Sequence, residues 1–186
     1  MKLSTQELVT AALFTAMMCT LTLFVRIIQP IAVIPFSLQP LVMFLAACML
    51  SPPAVFLSML AYLFLGLFGL PVFSVPPYGG PAYILVPSFG FILAFPLAGW
   101  LQSKIIKRTT ITNFVLAGIA GIIVYYLIGL PYMYFILDFY LGQAINIMQL
   151  IKIGLVPFIV FDLIKVIAAS FLAIELSKRL DLKRKV

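Results

Sequence analysis

Apolar residues run along this chain in long unbroken blocks, separated by Pro, Gly and small basic clusters. The blocks lie at about Leu8–Arg26, Leu41–Leu50, Ala54–Leu70, Ile84 or Ser88 to Ser103, Asn113–Leu130, and Gly154 or Pro157 to Glu175. Runs approaching roughly 20 apolar residues predict membrane helices rather than half-buried strands, which would alternate. Ser51-Pro52-Pro53 breaks the second block from the third, because proline cannot continue a helix and restricts the residue before it. Residues 71–83, Pro-Val-Phe-Ser-Val-Pro-Pro-Tyr-Gly-Gly-Pro-Ala-Tyr, are uncharged and rich in Pro and Gly. They predict irregular backbone that must lie against protein or line a cavity, since lipid cannot satisfy its polar groups. Pro131 opens an aromatic stretch expected to end the fifth helix and to form short interfacial helices up to about Lys152, where Tyr rings prefer to sit.

Composition sharpens this picture. The 186 residues are 65% hydrophobic and 9% charged, with a mean hydropathy of +1.24; soluble domains carry about 25% charged residues. The expectation is an all-α integral membrane protein of six transmembrane helices, forming one domain over residues 1–186. The first block reads as a span rather than a signal peptide, because Glu7 stands at its start and no small-residue cleavage site is obvious. The net charge of +7 would suggest nucleic acid in a soluble protein. Here Lys2, Lys104, Lys107, Arg108, Lys178, Arg179, Lys183, Arg184 and Lys185, nine of the 12 basic residues, fall on one side of a six-span layout. That asymmetry predicts cytoplasmic termini in the cell membrane and no nucleic acid. Cys19 and Cys48 sit inside apolar runs and read as small hydrophobes. With no His and no Cys cluster, a transition-metal site is not expected. No phosphate-binding Gly-Lys-Ser/Thr loop and no Ser-His or multi-carboxylate constellation is present, so neither ATP hydrolysis nor enzyme chemistry is expected.

Charge is scarce, and its placement matters. From Ile27 to Ser103 there is no Asp, Glu, Lys or Arg. Asp162 and Lys165 then stand three residues apart inside the last apolar block, on one helix face. Each charge costs about 2.5–3.5 kcal/mol at such depth on insertion scales. From a helix starting at Pro157 they lie roughly 7–8 and 12 Å below its outer end. The pair reads as a structural ion pair or as a ligand or ion site. It offers a carboxylate acceptor and an ammonium donor to a small solute carrying N–H groups and an oxygen.

Three further features stand beside it. In the loop after helix three, Gly79 and Gly80 permit close backbone approach, and Phe73, Tyr78 and Tyr83 offer flat walls with polar tips; the segment is either a pocket lid or a plain connection. Ala12 and Ala16 form a small-x-x-x-small pair on helix one, suited to packing within the bundle or to a partner protein. Pro30, Pro35, Pro40 and Gln39 make the first outer loop a gate with an amide for a ligand, or a simple turn.

The pattern Gly154-x-x-Pro-Phe-x-x-x-Asp-x-x-Lys165, together with Ala168 and Ala169 beyond it, resembles the last helix of the BioY family, the biotin-specific substrate-binding (S) components of energy-coupling-factor transporters. Gly69-Leu-Pro-Val-Phe73 is similar to the family's segment after helix three, and Val33-Ile-Pro-Phe-Ser-Leu-Gln39 to its first outer loop. Ala12 and Ala16 match the alanine motif by which S components contact the membrane coupling subunit. The resemblance covers nearly the whole chain, in order. One region departs. The family usually has a glycine run and then a Gly-Pro-Thr-Gly-Gly-Tyr-like stretch. This chain reads Ser74-Val-Pro-Pro-Tyr-Gly-Gly-Pro-Ala-Tyr83 and then Val86-Pro-Ser-Phe-Gly90, where only Pro87, Ser88 and Gly90 match.

The resemblance implies capture of external biotin for ATP-driven uptake, with a coupling subunit and two ATPase subunits as partners and no cofactor besides the ligand. It implies a substrate site of Asp162, Lys165, Gln39, Phe73, Tyr78, Tyr83 and Ser88. The changed loop leaves a related cofactor precursor such as lipoate as an alternative. From the residues alone, a solitary proton-coupled carrier is the rival, with Asp162 and Lys165 relaying protons.

Overall fold

The structure, a computed structural model, describes residues 3–28 and 37–179; these are helix and loop, with no strand among them. Helix α1 spans Thr5–Ile28. It begins earlier than the apolar block because Ser4 and Glu7 form a capping box: the Glu7 amide donates to Ser4 Oγ at 3.2 Å and the Ser4 amide to Glu7 Oε2 at 3.0 Å. Helix α2, Gln39–Met49, takes Pro40 into its first turn, where proline's missing N–H is harmless. It buries nine of its 11 residues and so forms the centre of the bundle. Helices α3 (Pro52–Leu67) and α4 (Phe89–Ile105, with Pro96 inside) come next. Between them the chain makes a short 3-10 turn at Pro81–Leu85.

Helix α5 corrects an expectation. It does not stop before Pro131 but runs Ile111–Phe135 and widens into a π turn at Ile136–Tyr140. Tertiary contacts carry it across the proline. Tyr132 beyond Pro131 packs edge-on against Phe89, with ring centroids 5.8 Å apart, and its hydroxyl donates to the Ile84 carbonyl. Proline is tolerated in membrane helices when such neighbours compensate the lost backbone bond. A separate short helix α6, Ile147–Gly154, starts at a second capping box, Asn146 and Gln149. Helix α7, Val156–Arg179, accommodates Pro157 in its first turn and extends a turn past the expected end.

Among the described residues, three stretches are long and apolar enough to cross a membrane: residues 5–27, Ile111–Tyr140 and Val156–Arg179. Helices α2, α3 and α4 are shorter, at 11, 16 and 17 residues, below the roughly 20 that a lone span needs.

Side-chain bonds define one end of the bundle. Ser51 Oγ donates to Glu7 Oε1 at 2.7 Å, Ser103 Oγ to the Leu50 carbonyl at 2.7 Å, and Ser177 Oγ meets Met49 Sδ at 3.9 Å. The start of α1, the α2–α3 corner and the ends of α4 and α7 therefore meet there. Lys104, Lys107, Arg108, Lys178 and Arg179 lie at this end. Pro30 and Pro35 of the first outer loop, and Lys2, Lys183, Arg184 and Lys185, lie outside the described residues.

Helix α1 is fastened to α3 by small polar side chains. Thr15 Oγ1 reaches the Ser58 carbonyl at 2.9 Å, and Ser58 Oγ reaches the Ala11 carbonyl at 2.9 Å. The close approach thus falls at Ala11 and Thr15, while Ala12 and Ala16 stand exposed on the other side of the helix.

At the opposite end, the loop after α3 folds back on its own helix. The Tyr62 hydroxyl donates to the Val72 carbonyl at 2.8 Å, the Phe73 amide to the Tyr78 carbonyl at 2.8 Å, and the Gly80 amide to the Gly66 carbonyl at 2.7 Å. Phe73 closes over Gly66 so tightly that a Cβ there would meet its ring at 2.0 Å. At Gly79 a Cβ would come within 2.3 Å of the Leu70 carbonyl oxygen, which is backbone and cannot swing aside. Gly79→Ala is therefore expected to lower stability by about 1–3 kcal/mol, read as a lower unfolding midpoint in detergent; an unchanged midpoint would contradict this packing.

Candidate functional site

The helix ends opposite the basic end enclose a cavity of about 270 Å³. Its rim carries Ser37, Gln39 and Pro40 from the α2 start, Ser74 and Val75 from the folded-back loop, Ser88 ahead of α4, Met133 from α5, and Ile153 and Gly154 from α6. Deeper walls come from Phe91, Ile92 and Phe95 on α4, Tyr125 and Tyr126 on α5, and Phe158, Asp162 and Lys165 on α7. At 1.5 Å per residue, Asp162 lies about 9 Å below the α7 start, and Lys165 and Tyr126 about 13 Å below their helix ends. The cavity thus has an uncharged rim, an aromatic wall and a charged floor. Among the described residues that line it, only Asp162 and Lys165 carry charge.

The floor is a compact network. Lys165 Nζ donates to Asp162 Oδ1 at 2.8 Å, and the Tyr126 hydroxyl donates to Asp162 Oδ2 at 2.7 Å. Asp162 is 1% and Lys165 7% exposed. The three-residue spacing on α7 makes the first bond, and the neighbouring α5 brings the second. A carboxylate has about four lone-pair sites, so two donors leave the Asp162 oxygens with capacity toward the cavity. Lone charges at this depth would be prohibitive; paired and hydrogen-bonded, they become tolerable. The result is a net-neutral patch able to accept N–H groups and to donate to an oxygen.

The aromatic wall is built on α4 and α5. Phe95 and Tyr125 stack at 10° with centroids 5.8 Å apart, Phe91 tilts against Tyr125 at 4.9 Å, and Tyr126 meets Tyr125 edge-on at 5.0 Å. Flat faces of this kind suit a small ring or a thioether.

The expected site residues divide into two groups. Asp162, Lys165, Gln39 and Ser88 come together on the cavity surface. Gln39 is buried; its Nε2 donates to the Tyr62 hydroxyl, and its Oε1 accepts from Ser37 Oγ at 2.8 Å. Phe73 and Tyr83 do not line the cavity. They form a fully buried aromatic layer behind it, with centroids 4.3 Å apart, packed on Tyr62 and Phe89. The Tyr83 hydroxyl faces Ser74, Ser88 and the Val75 backbone, and burial raises its pKa above the ordinary phenol value. Tyr78 turns away altogether: it adopts a φ of 66°, and the Arg26 guanidinium lies 4.3 Å over its ring. The aromatic wall instead comes from Phe91, Phe95, Tyr125 and Tyr126, none singled out in the sequence, joined by Phe158, which the sequence marked only as part of the last-helix pattern and not as a site residue. Their signal was present: Phe91 and Phe95 share a helix face, and two adjacent phenols inside an apolar helix are costly without partners.

Breaking the floor has a stability signature separate from any ligand. Asp162→Asn or Lys165→Met alone strands one buried charge and should cost about 3–5 kcal/mol, whereas the double replacement should recover much of that loss. Unfolding midpoints in detergent check this; equal or additive losses in the double variant would show that the two groups are not coupled.

Known proteins resemble this chain in sequence and in fold. The family model described as "BioY family" matches residues 1–182. The chain is 36% identical over 178 residues to a protein from Lysinibacillus sphaericus named "Probable biotin transporter BioY", covering 94% of this chain and 88% of that one. It is 33% identical over 181 residues to "Biotin transporter BioY" of Thermotoga maritima, covering 96% and 99%. A crystal structure described as the S-component for biotin from an ECF-type ABC transporter superposes with a TM-score of 0.74 at 25% identity, covering 95% of each chain. A match across almost the full length, in sequence and in fold, makes this chain a member of the BioY family.

Proposed function

We propose that this protein is the substrate-binding S component of an energy-coupling-factor transporter and captures biotin from outside the cell for ATP-driven uptake. The observation that carries this reading is the Asp162–Lys165 couple on the floor of an otherwise uncharged cavity, in a chain of the BioY family. Biotin's bicyclic head bears two ureido N–H groups, a carbonyl oxygen and a thioether. Asp162 is assigned the N–H groups, Lys165 pairs with Asp162 and adds a donor for a ligand oxygen, and the aromatic wall covers the rings. Gln39 and Ser88 are assigned to the polar parts of the ligand nearer the rim. Phe73 and Tyr83 pack behind the cavity on Tyr62 and Phe89, and Tyr78 lies under Arg26, so none of the three is assigned to the ligand. No cofactor is invoked besides the ligand.

We infer that the chain forms one membrane domain over residues 1–186 with six traversals and cytoplasmic termini. The supporting observation is the gathering of Lys104, Lys107, Arg108, Lys178 and Arg179 at one bundle end, opposite the cavity. The cavity then faces outward. The expected partners are a transmembrane coupling subunit and two ATPase subunits. The outward-facing Ala12 and Ala16 are suited to the coupling subunit, because small residues permit close helix approach in lipid.

Two measurements test this function. Binding of labelled biotin to the purified chain should weaken by roughly 10- to 100-fold in Asp162→Asn and in Lys165→Ala, as expected for lost charge-assisted hydrogen bonds. Lipoate, which has no N–H donors on its ring, should compete poorly; tight lipoate binding or unchanged affinity in both variants would contradict the site. Replacing Ala12 and Ala16 by Leu should leave binding intact and abolish uptake in cells carrying the full transporter; unimpaired uptake would reject docking through this stripe.

A further inference from the structure

The two neighbouring phenols on α5 have different occupations. Tyr126 commits its hydroxyl to Asp162 Oδ2 at 2.7 Å. Tyr125 lines the same cavity and lies within the field of the Asp162 carboxylate. Its ring is fixed on three sides by Phe91, Phe95 and Tyr126. Its hydroxyl, however, has no hydrogen-bond partner among the described residues. Tyr125 is half-buried and lines the cavity, so its hydroxyl stays open to a ligand acceptor, and a hydrogen bond made there contributes about 0.5–1.5 kcal/mol net.

Among the described residues no group supplies the acceptor: the Asp162 oxygens take their protein donors from Lys165 and Tyr126, and the rings packed on Tyr125 are those of Phe91, Phe95 and Tyr126, whose own hydroxyl is committed to Asp162. Tyr125 is therefore a preorganised donor aimed at an occupant of the cavity. A ligand that gives N–H groups to Asp162 must place its own acceptor beside that carboxylate, within the same polar pocket. A cyclic urea has this pattern: N–H donors flanking one carbonyl oxygen.

We propose that the Tyr125 hydroxyl is a specificity-determining donor to the ureido carbonyl oxygen of the ligand. This rests on the biotin reading above and adds to it a residue that separates a urea from analogues lacking a strong oxygen acceptor. Tyr126 is a positioning residue instead, acting through Asp162. A site built to hydrogen-bond a substrate atom discriminates strongly against ligands lacking it, because its own polar group is then left unpaired.

The experiment uses the full chain purified in detergent and two ligands, biotin and its thiourea analogue with sulfur in place of the ureido oxygen. Affinities are measured for the unmodified chain, Tyr125→Phe and Tyr126→Phe. The unmodified chain should prefer biotin. Tyr125→Phe should bind biotin about tenfold more weakly, the worth of one good hydrogen bond, while its affinity for the thiourea changes little, so that the preference collapses. Tyr126→Phe should weaken both ligands and keep the preference. If Tyr125→Phe binds biotin as the unmodified chain does, or loses the same factor for both ligands, the hydroxyl does not read the carbonyl and the proposal is overturned while the biotin reading stands. If the unmodified chain fails to bind biotin, both fall together.

Discussion

The buried bond between Asp162 and Lys165 is the constraint on which the rest of the architecture turns. Neither group is tolerable alone in an apolar helix, and a three-residue spacing on α7 lets each stabilise the other. That local solution is incomplete, because the second carboxylate oxygen also needs a donor. Tyr126 provides it from α5 at 2.7 Å, which fixes how α5 and α7 face each other. Helix α5 is continued across Pro131 by Tyr132, and Tyr132 ties it to Ile84 of the chain ahead of α4. The charge pair is thus linked, bond by bond, to the elements that enclose the cavity.

The same economy governs the irregular backbone. In lipid, a segment such as residues 71–83 must find every partner within the protein. Its backbone folds onto the end of α3, with Gly66 and Gly79 making room and Phe73 plugged between Tyr62 and Tyr83, while the buried Tyr83 hydroxyl is left without a hydrogen bond among the described residues. Only Ser74 and Val75 are left to face the cavity. The loop's aromatic residues consequently serve as its core, while the ligand-facing aromatics are supplied by regular helices, whose rings are better fixed. The helices of unequal length express a related division: α2 is buried nearly all round, and α1 carries apolar side chains such as Leu13 and Phe24 on its outer face.

Much of this was legible in the sequence. Long apolar blocks, Pro-Pro breaks and the isolated charges give an all-helical membrane protein and direct attention to Asp162 and Lys165. The family pattern over Gly154–Lys165 gives the ligand class expected. Gln39 and Ser88 reach the cavity because both flank helix starts at its rim. The harder parts depend on three-dimensional packing. Phe73, Tyr78 and Tyr83 look like pocket walls by composition, yet backbone hydrogen bonds within the loop decide which way each ring points. Tyr125 and Tyr126 differ by one position and lie about 100° apart around a helix, so their separate roles emerge only with α7 alongside. The end of α5 is hidden from the sequence because proline's local cost, taken alone, omits the contacts that offset it. Ser4-x-x-Glu7, by contrast, is a readable start signal for α1.

The central claim is that the Asp162–Lys165–Tyr126 network is the floor of a binding site rather than a sealed structural bond. A structure of the purified chain determined with biotin present tests it most directly. The account predicts the bicyclic head against this floor, with a ureido N–H within hydrogen-bond distance of Asp162 and the rings against Phe95 and Tyr125. Biotin found elsewhere on the molecule, with the cavity closed over an unchanged pair, would contradict it.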